Sequence, residues 1–240
     1  MGFPTRRQGT PTSSGGSSVT TLTVTLGSAP LLGSVLVGCC YTGAGTSLVC
    51  KDSNSNFFTE ITNVGGNHCF YMIAPSNATA SITLSWTTAV SFSQFQVDEF
   101  TVSGGTGTLD AAATVTVGNV ATGAAGAINQ PSITPTFGAG ELFYAYCGPN
   151  QSVSTPTTGS TQGLWTGGAN TIASGGNAGE YILNSPSSST AVNMTDSVAS
   201  DNYSALAVAF YIPVVLIPPS LDYVPGSGEV SRPGWKAIAW

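Results

Sequence analysis

The chain reads as all-β: a two-sheet antiparallel β-sandwich flanked by extended N- and C-terminal arms. Three observations predict this class. Apolar and hydroxyl side chains alternate with a period of two, as in Val19-Thr20-Thr21-Leu22-Thr23-Val24-Thr25-Leu26, the pattern of a half-buried strand. Clusters of turn residues recur between such runs, among them Asp52-Ser53-Asn54-Ser55-Asn56 and Pro75-Ser76-Asn77. No window carries helical periodicity.

The elements follow in order. Residues 1–16 read as an arm, with two prolines, the pair Arg6-Arg7, and then Ser13-Ser14-Gly15-Gly16. The first strand covers Val19–Leu26. The next, Val35–Thr42, is almost continuously apolar and is expected to be buried on both faces. Further strands are expected at Phe57–Thr62, Cys69–Ile73, Ala80–Thr87 and Phe92–Val102. The second half then repeats the first. Gly140-Glu141-Leu142-Phe143-Tyr144-Ala145-Tyr146-Cys147 parallels Gly33-Ser34-Val35-Leu36-Val37-Gly38-Cys39-Cys40, and Tyr203–Tyr211 parallels Phe92–Phe100, at offsets of 107–111 residues. This pseudo-duplication divides a body of residues 17–213 at about 103/104, with each half expected to supply strands to both sheets. Residues 214–240 form a C-terminal tail.

Charge is sparse and lopsided. Only 7% of residues are charged, against about a quarter in an ordinary domain. Between residues 8 and 228 ten carboxylates face one cation, Lys51, while Arg6, Arg7, Arg232 and Lys236 sit at the extremities. An acidic body disfavours nucleic acid as its partner. No run of about 18 apolar residues suggests a membrane span, and the start has no apolar segment of a secretory signal. Synthesis in a cytoplasm is therefore expected.

Candidate chemistry is thin, and no catalytic residue, cofactor or metal is expected. Asp98 and Glu99 are neighbours on a strand and point to opposite faces, so they cannot form the facing acid pair of a glycosidase. Asp110, Glu141 and Glu180 each stand alone and read as turn-capping or solvated. His68, the only histidine, lies in the turn Gly65-Gly66-Asn67-His68-Cys69 and has no nucleophile elbow to serve. A metal site drawn from Cys39 or Cys40 with Cys50, His68 and Cys69 matches no zinc spacing. The five cysteines read as small buried hydrophobes, with a Cys50–Cys69 disulfide left open. Trp86 alternates with Ile82 and Leu84 and belongs in the core. Trp165, in Gln162-Gly163-Leu164-Trp165-Thr166-Gly167-Gly168, reads as loop-borne and is the candidate for stacking on a glycan, with Tyr41, Tyr144 and Tyr146 as additions.

The tail concentrates Arg232, Trp235, Lys236, Ile238 and Trp240 within nine residues. Together with Arg6 and Arg7 these are the expected partner-binding residues, since apolar anchors beside charge suit a docking segment.

From Val19 to Pro213 the chain resembles a jelly-roll-type β-sandwich domain of phage particle proteins and bacterial surface proteins. The resemblance rests on Thr23-Val24-Thr25-Leu26-Gly27-Ser28-Ala29-Pro30, Gly33-Ser34-Val35-Leu36-Val37, Val97-Asp98-Glu99-Phe100, Gly107-Thr108-Leu109-Asp110 and Ala205–Phe210. It implies the sandwich fold and brings no catalytic residues with it. The arms, the lack of a secretory signal and the lack of a catalytic grouping then lead to the expectation of a non-enzymatic virion protein, multi-copy in its assembly and bound to other capsid or tail proteins through both arms. A capsid-surface decoration or cementing subunit is the first expectation. A tail or fibre component, and a carbohydrate-binding or adhesive module, are the alternatives.

Overall fold

The computed structural model describes residues 3, 5–43, 47–103, 105–121, 132–149, 153–154, 161–169, 177–192, 194–196 and 202–213. Among them there is no helix, and the chain is an all-β antiparallel sandwich. The strands are β1 (Arg6–Thr25), β2 (Val35–Tyr41), β3 (Val49–Asp52), β4 (Thr59–Val64), β5 (Asn67–Ile73), β6 (Ser81–Phe100), β7 (Thr108–Ala121) and β8 (Ser132–Ile133). They continue as β9 (Leu142–Pro149), β10 (Val153–Ser154), β11 (Thr161–Gln162), β12 (Trp165–Gly167), β13 (Ala178–Ile182), β14 (Thr190–Ala191), β15 (Thr195–Asp196) and β16 (Asn202–Tyr211).

The first sheet has the order β1-β6-β2-β5-β4, with β3 also on β6. The second has the order β11-β12-β13-β9-β16-β7. The duplication is therefore visible in the topology: β7, β16, β9, β13 and β12 occupy the places of β1, β6, β2, β5 and β4. One expectation is corrected here, because each half builds its own sheet and neither contributes to both. Within each half most paired strands are distant in sequence, β1 with β6 and β7 with β16 among them, but every partner lies in the same half.

The N-terminal boundary is corrected too. Residues 6–16 are not an arm but the first part of β1, in antiparallel register with β6 from Arg6↔Phe100 to Gly15↔Phe92. Register shifts between Gly15 and Thr21 bend the ribbon, as bulges do. Its far part, carrying Leu22, Val24, Ile82, Leu84 and Trp86, packs on the outer face of the same sheet against Leu36, Cys40, Phe70 and Phe95. Ala80–Thr87 and Phe92–Val102, expected as two strands, are one bent strand, β6.

Burial on both faces of β2 follows. Val35, Val37 and Cys39 enter the central core between the sheets, while Leu36 and Cys40 enter the outer core. Phe100 meets Tyr181 and Tyr144 at ring-centre distances of 5.1 and 6.0 Å, and Tyr71 meets Phe210 at 5.6 Å, stitching the sheets by edge-to-face and tilted packing. A second outer core, around Trp165, Met194 and Tyr203, covers the far face of the second sheet.

Candidate functional site

β1 runs beside β6, and this decides where Arg6 and Arg7 go. Arg6 Nε donates to Asp98 Oδ1 at 2.5 Å, and Arg7 Nη1 donates to Glu99 Oε2 at 2.7 Å. Both carboxylates are fully buried. A charge placed there needs a counterion, and the two arginines are consumed in supplying it. Their assignment as partner-binding residues is therefore corrected. The opposite orientation of Asp98 and Glu99 is observed as expected.

Asp98 faces the second sheet. Its Oδ2 accepts from Tyr144 Oη at 2.6 Å and from the Ala169 backbone N–H at 3.1 Å, and Gln96 Nε2 donates to the same Tyr144 oxygen. The sheets come so close here that a Cβ on Gly179 would strike Gln96 and Tyr144. Burial, reinforced by the Asp98 charge, pushes the Tyr144 hydroxyl well above its usual range. The group is a closed clamp between the sheets.

Glu99 faces outward and organises the connection from β1 to β2. Besides Arg7 it accepts from Gln8 Nε2 (2.5 Å), the Leu31 N–H (2.8 Å) and Ser34 Oγ (2.8 Å). The second half solves the same problem differently. Glu141 Oε1 accepts the Phe137 N–H at 2.8 Å, and Asp110 Oδ2 accepts the Thr136 N–H at 2.9 Å. The turn-capping role expected of Asp110 and Glu141 is observed, for Asp110 Oδ1 also accepts the Ala112 and Ala113 N–H groups at 3.2 and 3.3 Å. They are not isolated or solvated, however: both are buried, and the Asp110 charge acts on Glu141. β16 lies between β7 and β9, pairing Ala209 with both Asp110 and Phe143, and so brings the two acids together. Glu180 is likewise not solvated but fully buried on β13.

Burial, reinforced by the Asp110 charge and opposed by the Phe137 N–H, pushes Glu141 from an ordinary 4.5 up to about 7. The folded protein thus holds this proton more tightly than the unfolded chain. The stability it confers is full below about 4.5 and is lost as pH rises to about 7. A loss of roughly 1–3 kcal/mol is expected across that window. Glu141→Gln keeps the acceptor for Phe137 and should flatten this part of the stability profile. Thermal denaturation of both proteins at intervals across that window checks it, and parallel profiles would reject the assignment.

The two buttressed connections expose apolar side chains. Leu31 is 49% exposed, Leu32 73% and Phe137 59%, and Phe137 stacks on Tyr211 at 3.9 Å. Both connections lie at one end of the sandwich. Gly33 adjoins Val102 and Gly105, Gly105 adjoins Ile212, and Gly107 adjoins Val35 and Phe3. The N-terminal Phe3 and the stretch leading to Pro213 share this end with the exposed side chains, which makes it the candidate interaction surface.

Trp165 is corrected. It is 2% exposed, and its Nε1 donates to the Ala191 carbonyl at 2.8 Å. Gly163, at φ 62°, closes a two-residue turn between β11 and β12 and aims the indole inward. Tyr144 and Tyr146 are buried as well. Tyr41 and Phe92 line a shallow depression with Gly43, Ala89, Val90 and Ser91; their rings are tilted by 48° and form no flat platform. His68 Nδ1 contacts Glu60 Oε1 at 2.8 Å. Cys50 and Cys69 lie in different cores, so the disulfide between them is ruled out. Among the described residues no three His, Cys, Asp or Glu side chains are grouped to hold a metal, and no helix is long and apolar enough to cross a membrane. Arg232, Trp235, Lys236, Ile238 and Trp240 lie outside the described residues.

Comparison with protein-family models, with curated proteins and with solved structures returns no match.

Proposed function

We propose that this chain is a non-enzymatic structural subunit of a phage-like virion, a capsid-surface decoration or cementing protein, present in many copies and anchored to neighbouring virion proteins through residues 214–240. One observation carries the reading. The end of the sandwich that presents Leu31, Leu32 and Phe137 on loops braced by buried carboxylates is also the end from which the chain runs on at Pro213. A stiff body with an apolar end, continued by a segment rich in tryptophan and cations, suits a subunit that grips another protein. The carboxylates at this end hold backbone N–H groups and leave the gripping to apolar contact.

Relative to the sequence reading, the anchor is narrowed. Arg6 and Arg7 belong to the body, so the proposed contacts are Arg232, Trp235, Lys236, Ile238 and Trp240, with the exposed end beside them. The adhesive reading has lost Trp165, the residue on which it rested. A tail or fibre position remains the second place within the same particle, and antibody labelling of intact particles separates it from the capsid surface.

Deletion of residues 220–240 is the direct test. The truncated protein is expected to keep the thermal unfolding of the full chain and to be lost from particles isolated by sedimentation. Normal incorporation of the truncated chain would overturn the proposal.

A further inference from the structure

Cys39 and Cys69 face one another in register across the β2–β5 ladder, and their Sγ atoms lie 3.2 Å apart. Both are fully buried in the central core. Facing Cβ atoms on antiparallel neighbours are typically about 4.5–5.5 Å apart, slightly wider than the roughly 3.5–4.5 Å a disulfide requires. Closing the two sulfurs to bonding distance takes about 1.2 Å of relative movement, which two adjacent strands can supply without changing register. The remaining thiols are placed elsewhere: Cys40 and Cys50 in the first outer core, and Cys147 in the second.

We propose that Cys39 and Cys69 form a cross-strand disulfide when the chain folds in, or passes into, an oxidising thiol–disulfide environment, stapling β2 to β5 at the centre of the sandwich. The inference is independent of the virion reading. With glutathione disulfide as oxidant, the thiolate of one cysteine attacks a glutathione sulfur, the S–S bond breaks, and one glutathione leaves as thiolate and takes up a proton. The thiolate of the second cysteine then attacks the protein sulfur of the mixed disulfide and releases the second glutathione. The protein loses two electrons and two protons, and glutathione disulfide becomes two glutathione thiols.

Burial, reinforced by the contact with Cys69, pushes the Cys39 thiol well above its ordinary range. The closed native state therefore reacts slowly, and the bond forms while the chain folds or when β4 and β5 open locally.

The full chain, unfolded in denaturant and refolded in a mixture of reduced and oxidised glutathione, tests this. After alkylation, intact mass should show that two of the five thiols are lost. The melting temperature should rise by about 5–10 °C over the reduced protein. Cys40→Ala and Cys50→Ala should still lose two thiols, whereas Cys39→Ala and Cys69→Ala should lose none. Peptide mass spectrometry of the refolded wild type, which does not depend on any variant folding, should identify a Cys39–Cys69 link. Five free thiols after refolding, or a link between another pair such as Cys40 and Cys50, would overturn the proposal.

Discussion

Asp98→Ala is expected to cost about 3–5 kcal/mol of folding stability, the usual penalty for removing one partner of a buried ion pair. Three groups lose their acceptor together. Arg6 keeps its charge at 14% side-chain exposure, Tyr144 Oη is left in the central core, and the Ala169 N–H loses a bond that ties the connection after β12 to the first sheet. Urea denaturation should show an earlier midpoint with a nearly unchanged slope, since the surface exposed on unfolding is the same. The paired replacement Arg6→Met with Asp98→Leu should recover part of the loss, because an apolar pair leaves no uncompensated charge. A cycle of the two single changes and the double change isolates the coupling. A loss below about 1 kcal/mol for Asp98→Ala would show that the clamp does not hold the sheets together.

Trp165→Ala is expected to cost a comparable amount, about 3–5 kcal/mol, through the cavity it opens in the second outer core. The indole packs in the cluster containing Met194 and Tyr203 and binds the Ala191 carbonyl, so it links β12 to β14. Trp165→Phe retains much of the packing and gives up the hydrogen bond, and its loss should be nearer 1 kcal/mol. Equilibrium denaturation of the three proteins orders them. A Trp165→Ala variant as stable as the wild type would return this residue to the surface and reopen its use as a glycan platform.

Side-chain pattern made the central elements legible. Leu22, Val24 and Leu26 are buried and the threonines between them are exposed, as their alternation predicts. The unbroken apolar run of β2 marks a strand covered on both faces, and the offset between the halves became a matching strand order. Elements held mainly by a partner's backbone were not legible. Residues 6–16 have the composition of a linker, yet β6 supplies a ladder for them, and that information lies about 90 residues away. The acid pair was hidden for the same reason. Asp110 and Glu141 stand 31 positions apart, and a third strand, β16, makes them neighbours. Trp165 was misplaced because its flanking glycines suggested a loop, whereas one of them closes a tight hairpin that turns the ring inward.

The matching strand orders carry a consequence for how the two halves depend on each other. Each half is a sheet with one outer face already covered and one apolar face, bearing Val35, Val37 and Phe100 in the first half and Leu142, Leu206 and Phe210 in the second. A lone half would leave that face in water and would be driven onto a second copy of itself. The sandwich therefore has the layout of two like sheets paired within one chain, and the connection between the halves holds the two faces at high effective concentration. The first half braces its end with arginine–carboxylate pairs and the second with carboxylates that hold backbone N–H groups, so two matching loops present different chemical faces.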